Sequence, residues 1–141
     1  MKLTYGILKT LINAGLSKKV RRSVEGGLST DSDSAYRYAQ SFLHGPFPLG
    51  EPAIAEEIET AYRYARYVLK GPFPMGEKVI SQGASYSWWY VAEVLKGPFP
   101  MGEKVMAKSS AGDSYLTYLR HHGYTDDAER FKTMMREAGN E

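Results

Sequence analysis

Three histidines stand out among the residues that could do metal or acid–base chemistry, because the chain has no cysteine. They are His44, His121 and His122. Two ligands from one helix are normally four residues apart, so an adjacent pair cannot face one ion, and no cluster of carboxylates completes a site. The serines lack the pattern of an activated nucleophile, and no glycine-rich loop matches a phosphate cradle. We therefore predict no catalytic residue, no metal and no cofactor, and a protein that is not an enzyme.

A short basic run near the N-terminus could bind an anion, such as the phosphates of a nucleic acid or a nucleotide. Its members are Lys18, Lys19, Arg21 and Arg22. Most runs of this kind are solvated faces of helices, and the net charge of the chain is only +2. Nucleic-acid or nucleotide binding, helped by stacking on exposed tyrosine and tryptophan rings, is therefore the second hypothesis rather than the first.

One twelve-residue stretch organises the rest of the sequence. VLKGPFPMGEKV occurs identically at 68–79 and 94–105, and a looser copy lies at 42–53. The central glycines of the three copies are Gly45, Gly71 and Gly97. They are 26 residues apart, and we call this spacing the repeat period. Its length is typical of repeat proteins. The repeat period divides the middle of the chain into units at 31–56, 57–82 and 83–108.

Each unit is predicted to be a long helix followed by a short one. In the second unit, apolar and small residues follow a 3.6-residue period over 61–68 and mark the buried side of the long helix. Lys70 complements the dipole at the carboxyl end of this helix. Gly71 is expected to take the left-handed conformation that ends it, and Pro72 prevents its continuation. Pro74 suits the first turn of the short helix, and Glu77 lies near its start, where a carboxylate is favourable.

The ends of such an array need caps with a polar outer face. Residues 1–30 are predicted to be an N-terminal helical cap, with a loop at the paired glycines Gly26 and Gly27. Residues 109–141 are predicted to be a degenerate fourth unit and a final helix. Asp31 and Thr125 are expected to cap the helices that follow them.

The positions at which the units differ suggest a binding surface. The first such position is arginine in two units and Trp89 in the third. Arginine, tyrosine and tryptophan are enriched at the energetic centres of protein interfaces. The predicted partner-binding residues are Arg37, Arg63, Arg66, Tyr67 and Trp89. A solvated helix face is the simpler alternative, and it applies more strongly to Trp88, which replaces tyrosines.

The repeat resembles short tandem repeats encoded by large tailed bacteriophages. The matching residues of the second unit are Tyr64–Ala65, Val68–Leu69, Gly71, Phe73–Pro74 and Gly76–Glu77, and the resemblance covers 31–108. It implies a viral origin and a helical array, and it implies no particular activity.

Together these patterns predict an all-α protein with one domain over 1–141. We expect a small right-handed array, similar to an αα solenoid, of three helix pairs and two caps, with about nine helices. The leading hypothesis is an interaction module that binds a host or viral protein, and a structural component of the virion is a further alternative. The absence of a signal-peptide core and of a membrane span favours the cytoplasm, that of the infected cell if the protein is viral. The sequence leaves open whether the chain is a monomer or a homo-oligomer.

Overall fold

The computed structural model describes residue 10 and residues 18–139, and every regular element within them is a helix. The α-helices over 18–139 are α1 (Lys18–Leu28), α2 (Ser32–Tyr38), α3 (Glu51–Ile54), α4 (Ile58–Arg63), α5 (Pro74–Ile80), α6 (Ala84–Tyr90), α7 (Pro100–Met106), α8 (Ala111–His121) and α9 (Thr125–Glu137). The predicted all-α class is confirmed for these residues. Most of the predicted N-terminal cap, 1–17, lies outside the described residues.

Consecutive helices of the same kind contact one another. The longer helices α2, α4, α6 and α8 form one series of contacts, and the short helices α3, α5 and α7 form another. The helices α2, α4 and α6 each continue as a π-helix, at Ala39–Leu43, Tyr64–Leu69 and Val91–Leu95. A three-residue 3₁₀-helix, Pro48–Gly50, precedes α3. None of the helices among the described residues has both the length and the apolar composition that a membrane span requires.

We call the connection between the long and the short helix of each unit a corner. The long helix ends differently at the corners from the way the sequence predicts. The left-handed residues are His44, Lys70 and Lys96, with φ of 50°, 53° and 52°, and not the glycines that follow them. The prediction for Gly71 is therefore wrong. Each of these glycines precedes a proline, and a residue before proline is pushed towards extended backbone. The left-handed turn consequently falls one residue earlier, although a side chain makes that conformation costly.

Buried tyrosines join each longer helix to the corner that precedes it. The Tyr64 hydroxyl accepts a hydrogen bond from the backbone N–H of Phe47 (2.9 Å) and donates one to Glu51 (2.9 Å). Tyr90 makes the same two bonds, to the Phe73 N–H at 3.0 Å and to Glu77 at 2.9 Å. We call this arrangement the tyrosine joint. The carboxylates that the sequence predicts to serve the helix dipole thus have a second role as acceptors for the tyrosine hydroxyls.

The tyrosine joint also occurs in full at Tyr115, and Tyr38 makes the bond to a glutamate, with Arg21 in place of the backbone N–H. Tyr115 accepts from the Phe99 N–H (3.1 Å) and donates to Glu103 (2.7 Å). At the other end Tyr38 donates to Glu25, which lies in α1. The four glutamates follow one another at the repeat period: Glu25, Glu51, Glu77 and Glu103. Residues of α1, predicted only as a cap, therefore occupy the same place as those of α3, α5 and α7.

Equivalent apolar residues fill the core between the joints. Leu28, Ile54, Ile80 and Met106 are buried and also follow one another at the repeat period. The rings of Tyr64 and Phe73 meet edge to face with centroids 4.9 Å apart, and two further tyrosine–phenylalanine pairs repeat this contact. For Tyr115 the partner ring is Phe131 of α9, at 4.7 Å. The last helix thus supplies the aromatic ring that another corner would supply.

Three predictions about helix ends have different outcomes. Asp31 accepts from the Ser34 N–H at 2.9 Å, so its predicted capping role is confirmed. Thr125 is expected to be a cap, but it is the first residue of α9, and the residue before it makes no capping bond through its side chain. Gly26 and Gly27, predicted to be a loop, lie instead within α1. The core contacts of Val24 and Leu28 on the same helix outweigh the low helix propensity of glycine.

Candidate partner-binding groove

A groove of about 310 Å³ lies between the helices of the second and third units. One wall is α4 with its π-helical continuation, and the other is α6 with its own. Four of the five predicted partner-binding residues line it: Arg63, Arg66, Tyr67 and Trp89. The other lining residues are Glu59, Tyr62, Tyr86 and Glu93. The structure therefore brings together residues from two different units of the sequence.

Three aromatic rings in mutual contact form the apolar part of the groove. Tyr62 lies 5.7 Å from Tyr86 and 6.0 Å from Trp89, and Tyr86 lies 5.2 Å from Trp89, measured between ring centroids. Tyr62 is buried, whereas 44% of Trp89 is exposed. Burial raises the pKa of the Tyr62 hydroxyl, and this group stays neutral at physiological pH. The cluster offers a partner a rigid aromatic surface with a small cost in side-chain entropy.

Arg66 is held in place by three neighbours. Its guanidinium donates to the Tyr62 hydroxyl at 2.8 Å, lies 5.1 Å from the centroid of the Tyr67 ring, and approaches Glu93 at 3.5 Å. The hydrogen bond to Tyr62 raises the pKa of Arg66, which remains a cation. A guanidinium has five N–H donors, so these contacts leave donors for a further acceptor.

Ion pairs balance the charge of the groove. Arg63 pairs with Glu59 at 2.6 Å, one turn away on the same helix, and about half of each side chain is exposed. Together with Arg66 and Glu93, the groove has two positive and two negative groups. Exposed pairs of this kind contribute little to stability, so a partner can exchange one carboxylate for its own at small cost.

Arg37 does not line this groove. It lies on α2 and pairs with Asp33 at 3.1 Å, in the same i, i+4 geometry as Arg63 with Glu59. In the third unit the corresponding positions are Ser85 and Trp89, so this ion pair has no equivalent there. The exchange of an ion pair for a tryptophan gives the groove its aromatic character.

One residue of the basic run is engaged by its neighbours. Arg21 donates to Glu25 at 3.1 Å and to the Tyr38 hydroxyl at 3.3 Å, and so forms part of a tyrosine joint. The hydrogen bond to Tyr38 raises the pKa of Arg21. Lys18, Lys19 and Arg22 are exposed on the same helix.

A second, more open cavity of about 450 Å³ lies beside α8. The Trp88 ring meets the Tyr118 ring edge to face, with centroids 5.9 Å apart. His122 stacks on Tyr118 with centroids 4.0 Å apart. In the part of the chain that is described, no three histidine or carboxylate side chains are arranged to hold a metal ion.

Sequence reasoning missed four residues of the groove, the aromatic Tyr62 and Tyr86 and the acidic Glu59 and Glu93. The helical period assigns Tyr62 to the side of the helix that packs between units. Tyr86 occupies a position that is Ser34 in the first unit and Thr60 in the second, so the disagreement between units could have revealed it. Comparisons of the chain with protein-family profiles, with curated proteins and with solved structures gave no match.

Proposed function

We propose that this protein is a non-enzymatic interaction module, an array of stacked helix pairs that binds another protein through the groove. The supporting observation is the division of labour between positions. Residues of the tyrosine joint are the same in every unit, whereas the groove is lined by positions at which the units differ. Function commonly resides on such variable positions, because the shared ones maintain the fold.

The recurrence of the tyrosine joint supports the array. Each joint connects one long helix only to the corner before it, so every unit contacts its neighbours and little else. Contacts limited to neighbouring units are what distinguishes a solenoid from a globular core. The joint at Glu25 and Tyr38 supports a partial unit before the three that the sequence indicates. Stacked units of this type create extended binding surfaces.

The chemistry of the groove favours a protein segment that carries an acidic side chain next to an apolar or aromatic one. The acidic group would bind Arg63 or Arg66 in place of a groove carboxylate. Arg66 is the better anchor, since its contacts to Tyr62 and Tyr67 fix its orientation before binding. The neighbouring apolar side chain would pack on the half-exposed ring of Trp89. Tryptophan and arginine anchors of this kind supply most of the energy of many interfaces.

The resemblance to bacteriophage repeats supports a viral origin, and with it a partner among host or viral proteins. A role as a structural component of the virion would use the same groove against another virion protein. Nucleic-acid binding is less favoured, because Arg21 is engaged in a joint and the groove is neutral overall.

Affinity capture from an extract of the host bacterium, infected and uninfected, tests this proposal. Arg63→Glu and Trp89→Ala should each reduce capture of the partner by at least tenfold. Arg37→Glu is the matched control, because it removes an equivalent ion pair outside the groove, and it should bind like wild type. If both groove variants retain the partner, the groove is not the binding site. Retention on RNA that falls steeply with added salt would favour nucleic-acid binding instead.

A further inference from the structure

A second surface, on the short helices, is independent of the groove. It has large apolar side chains in one position that recurs at the repeat period: Leu49, Met75 and Met101. They are 55%, 52% and 54% exposed, and are among the most exposed large apolar residues described. Leu49 lies in the 3₁₀-helix that leads into α3, and Met75 and Met101 lie in α5 and α7. Because α3 contacts α5 and α5 contacts α7, the three side chains follow one another along neighbouring short helices.

A second repeated position on this surface has a different charge in each unit. It is Glu56 in the first unit, Gln82 in the second and Lys108 in the third, and all three are exposed. Each follows the apolar residue of its own unit by seven positions and lies in the turn after the short helix, so the three form a second row at the carboxyl ends of the short helices. From the first unit to the third, this position changes from negative to neutral to positive.

The gradient fits a second copy of the same chain. Consider a two-fold axis parallel to α5 that lies in the contact plane and relates two such surfaces. The first unit of one copy then faces the third unit of the other, and the two second units face each other. Glu56 meets Lys108 of the second copy, Gln82 meets Gln82, and Met75 meets Met75. A two-fold axis across the short helices would instead place each unit on itself, where the charges do not match.

We propose that this protein forms an antiparallel homodimer through the row of Leu49, Met75 and Met101, with its register set by Glu56 and Lys108. Self-complementary surfaces of this type are the commonest origin of protein dimers. Within the described chain, Glu56 and Lys108 take part in none of the ion pairs, so both are available to a partner copy. Lys78 and Lys104 are exposed on the same short helices as Met75 and Met101.

The dimer should be weak and concentration-dependent. Three short helices about 9 Å apart and about 10 Å long give a contact of about 300 Å² per copy, well below the size of a standard specific interface. The groove lies on the longer helices and stays open, so the dimer would present two grooves. Neither proposal depends on the other.

Charge exchange tests the arrangement by sedimentation equilibrium of the purified full-length protein at concentrations from micromolar to about 1 mM, a range set by the expected weak affinity. Glu56→Lys alone and Lys108→Glu alone each place two like-charged contacts in the dimer, so each should self-associate at least tenfold more weakly than wild type. An equimolar mixture of the two variants restores both attractive contacts, and it should dimerise like wild type.

Two control variants show whether self-association depends on this surface. Lys132→Glu changes the same charge on an exposed position of α9, away from the row, and should leave dimerisation unchanged. Met75→Asp should abolish dimerisation while the far-UV circular dichroism stays that of wild type. A wild-type protein that is monomeric throughout the concentration range would overturn the proposal. So would a mixture that associates no better than the single variants.

Discussion

The hydroxyl of Tyr90 offers a sharp test of the tyrosine joint. Tyr90→Phe keeps the buried ring and its contact with Phe99, but removes the group that accepts from the Phe73 N–H and donates to Glu77. The buried N–H then has no acceptor, which costs about 1–3 kcal/mol. Glu77 is only partly buried and regains water, so it adds little. We expect the free energy of unfolding to fall by about 2 kcal/mol.

Urea unfolding followed by far-UV circular dichroism measures this loss as a lower midpoint at unchanged m-value. In a thermal scan it corresponds to a decrease in Tm of roughly 4–8 °C. Tyr67→Phe is the matched control, since that ring is half-exposed, and its effect should stay below about 0.5 kcal/mol. Tyr38→Phe should lie between the two, because its hydroxyl meets the exposed Arg21 side chain instead of a backbone N–H. Equal losses for Tyr90→Phe and Tyr67→Phe would refute the joint as a source of stability.

The same variant carries a signature in alkaline solution. Burial raises the pKa of Tyr90 well above its ordinary value of 10.0. An unfolded tyrosine therefore loses its proton first as the pH rises, and the unfolded state is favoured above about pH 10. Wild type should lose stability there by about 1.4 kcal/mol per pH unit for each such tyrosine, with full stability below that pH. In Tyr90→Phe the stability should decline less steeply with pH, because one fewer tyrosine releases a proton on unfolding. An unchanged slope would mean that Tyr90 ionises as easily in the folded protein.

Three further substitutions test other contacts. Gly76→Ala should destabilise the protein by about 2 kcal/mol, because an added Cβ would lie under 3.0 Å from the ring of Phe73. Gly26→Ala should stabilise it by about 0.5–1 kcal/mol, because nothing lies within 4 Å of the added Cβ. Urea unfolding of the two variants measures both changes. Arg130→Ala should lower stability by about 2 kcal/mol, since the fully buried Glu103 loses its cation, and Arg130→Lys should restore only part of it. Lys70→Gly should raise the Tm by a few degrees, because glycine adopts the left-handed conformation without strain; a decrease in Tm would contradict this account.

The repeated sequence predicts the helices well, because their stop and start signals are local. Gly71, Pro72 and Pro74 fix where one helix ends and the next begins, and the apolar period fixes which side is buried. The predicted left-handed residue lies one place too late, since the helix-ending role of glycine competes with the restriction that the following proline imposes.

The joints could not be predicted in the same way. A tyrosine hydroxyl, a backbone N–H and a carboxylate meet only after two units have packed, and nothing local specifies that meeting. Position alone contained a hint, because Glu25 precedes Glu51 by the same interval that separates the later glutamates. The altered residues around Glu25 conceal this relationship, so the sequence predicts α1 only as a cap.

Only some of the residues that line the groove could be identified from the sequence, because the groove also forms only when two units pack. Variation between units identifies Arg63, Arg66 and Trp89, but it does not say which varying positions meet across two helices. Arg37 varies in the same way, yet it belongs to a unit whose neighbours place it elsewhere. Only packing distinguishes the arginine of the groove from its equivalent one unit earlier.

The ion pair of Arg130 with Glu103 limits where a further unit could be added to the protein. Glu103 is the last of the glutamates that accept a hydrogen bond from a joint tyrosine. Helix α9 contacts this joint with the Phe131 ring, against Tyr115, and with the Arg130 cation, against Glu103. Glu129 follows Glu103 at the repeat period, but it is exposed in the middle of α9 and not at a corner, so a unit added after α9 would find no equivalent joint. A unit inserted after Gln82 could bind the corner at Phe73 and Glu77 through its own tyrosine, and its own corner could bind Tyr90. We therefore expect an additional unit to be accommodated between α1 and α9, where its tyrosine and its glutamate would both find partners in neighbouring units.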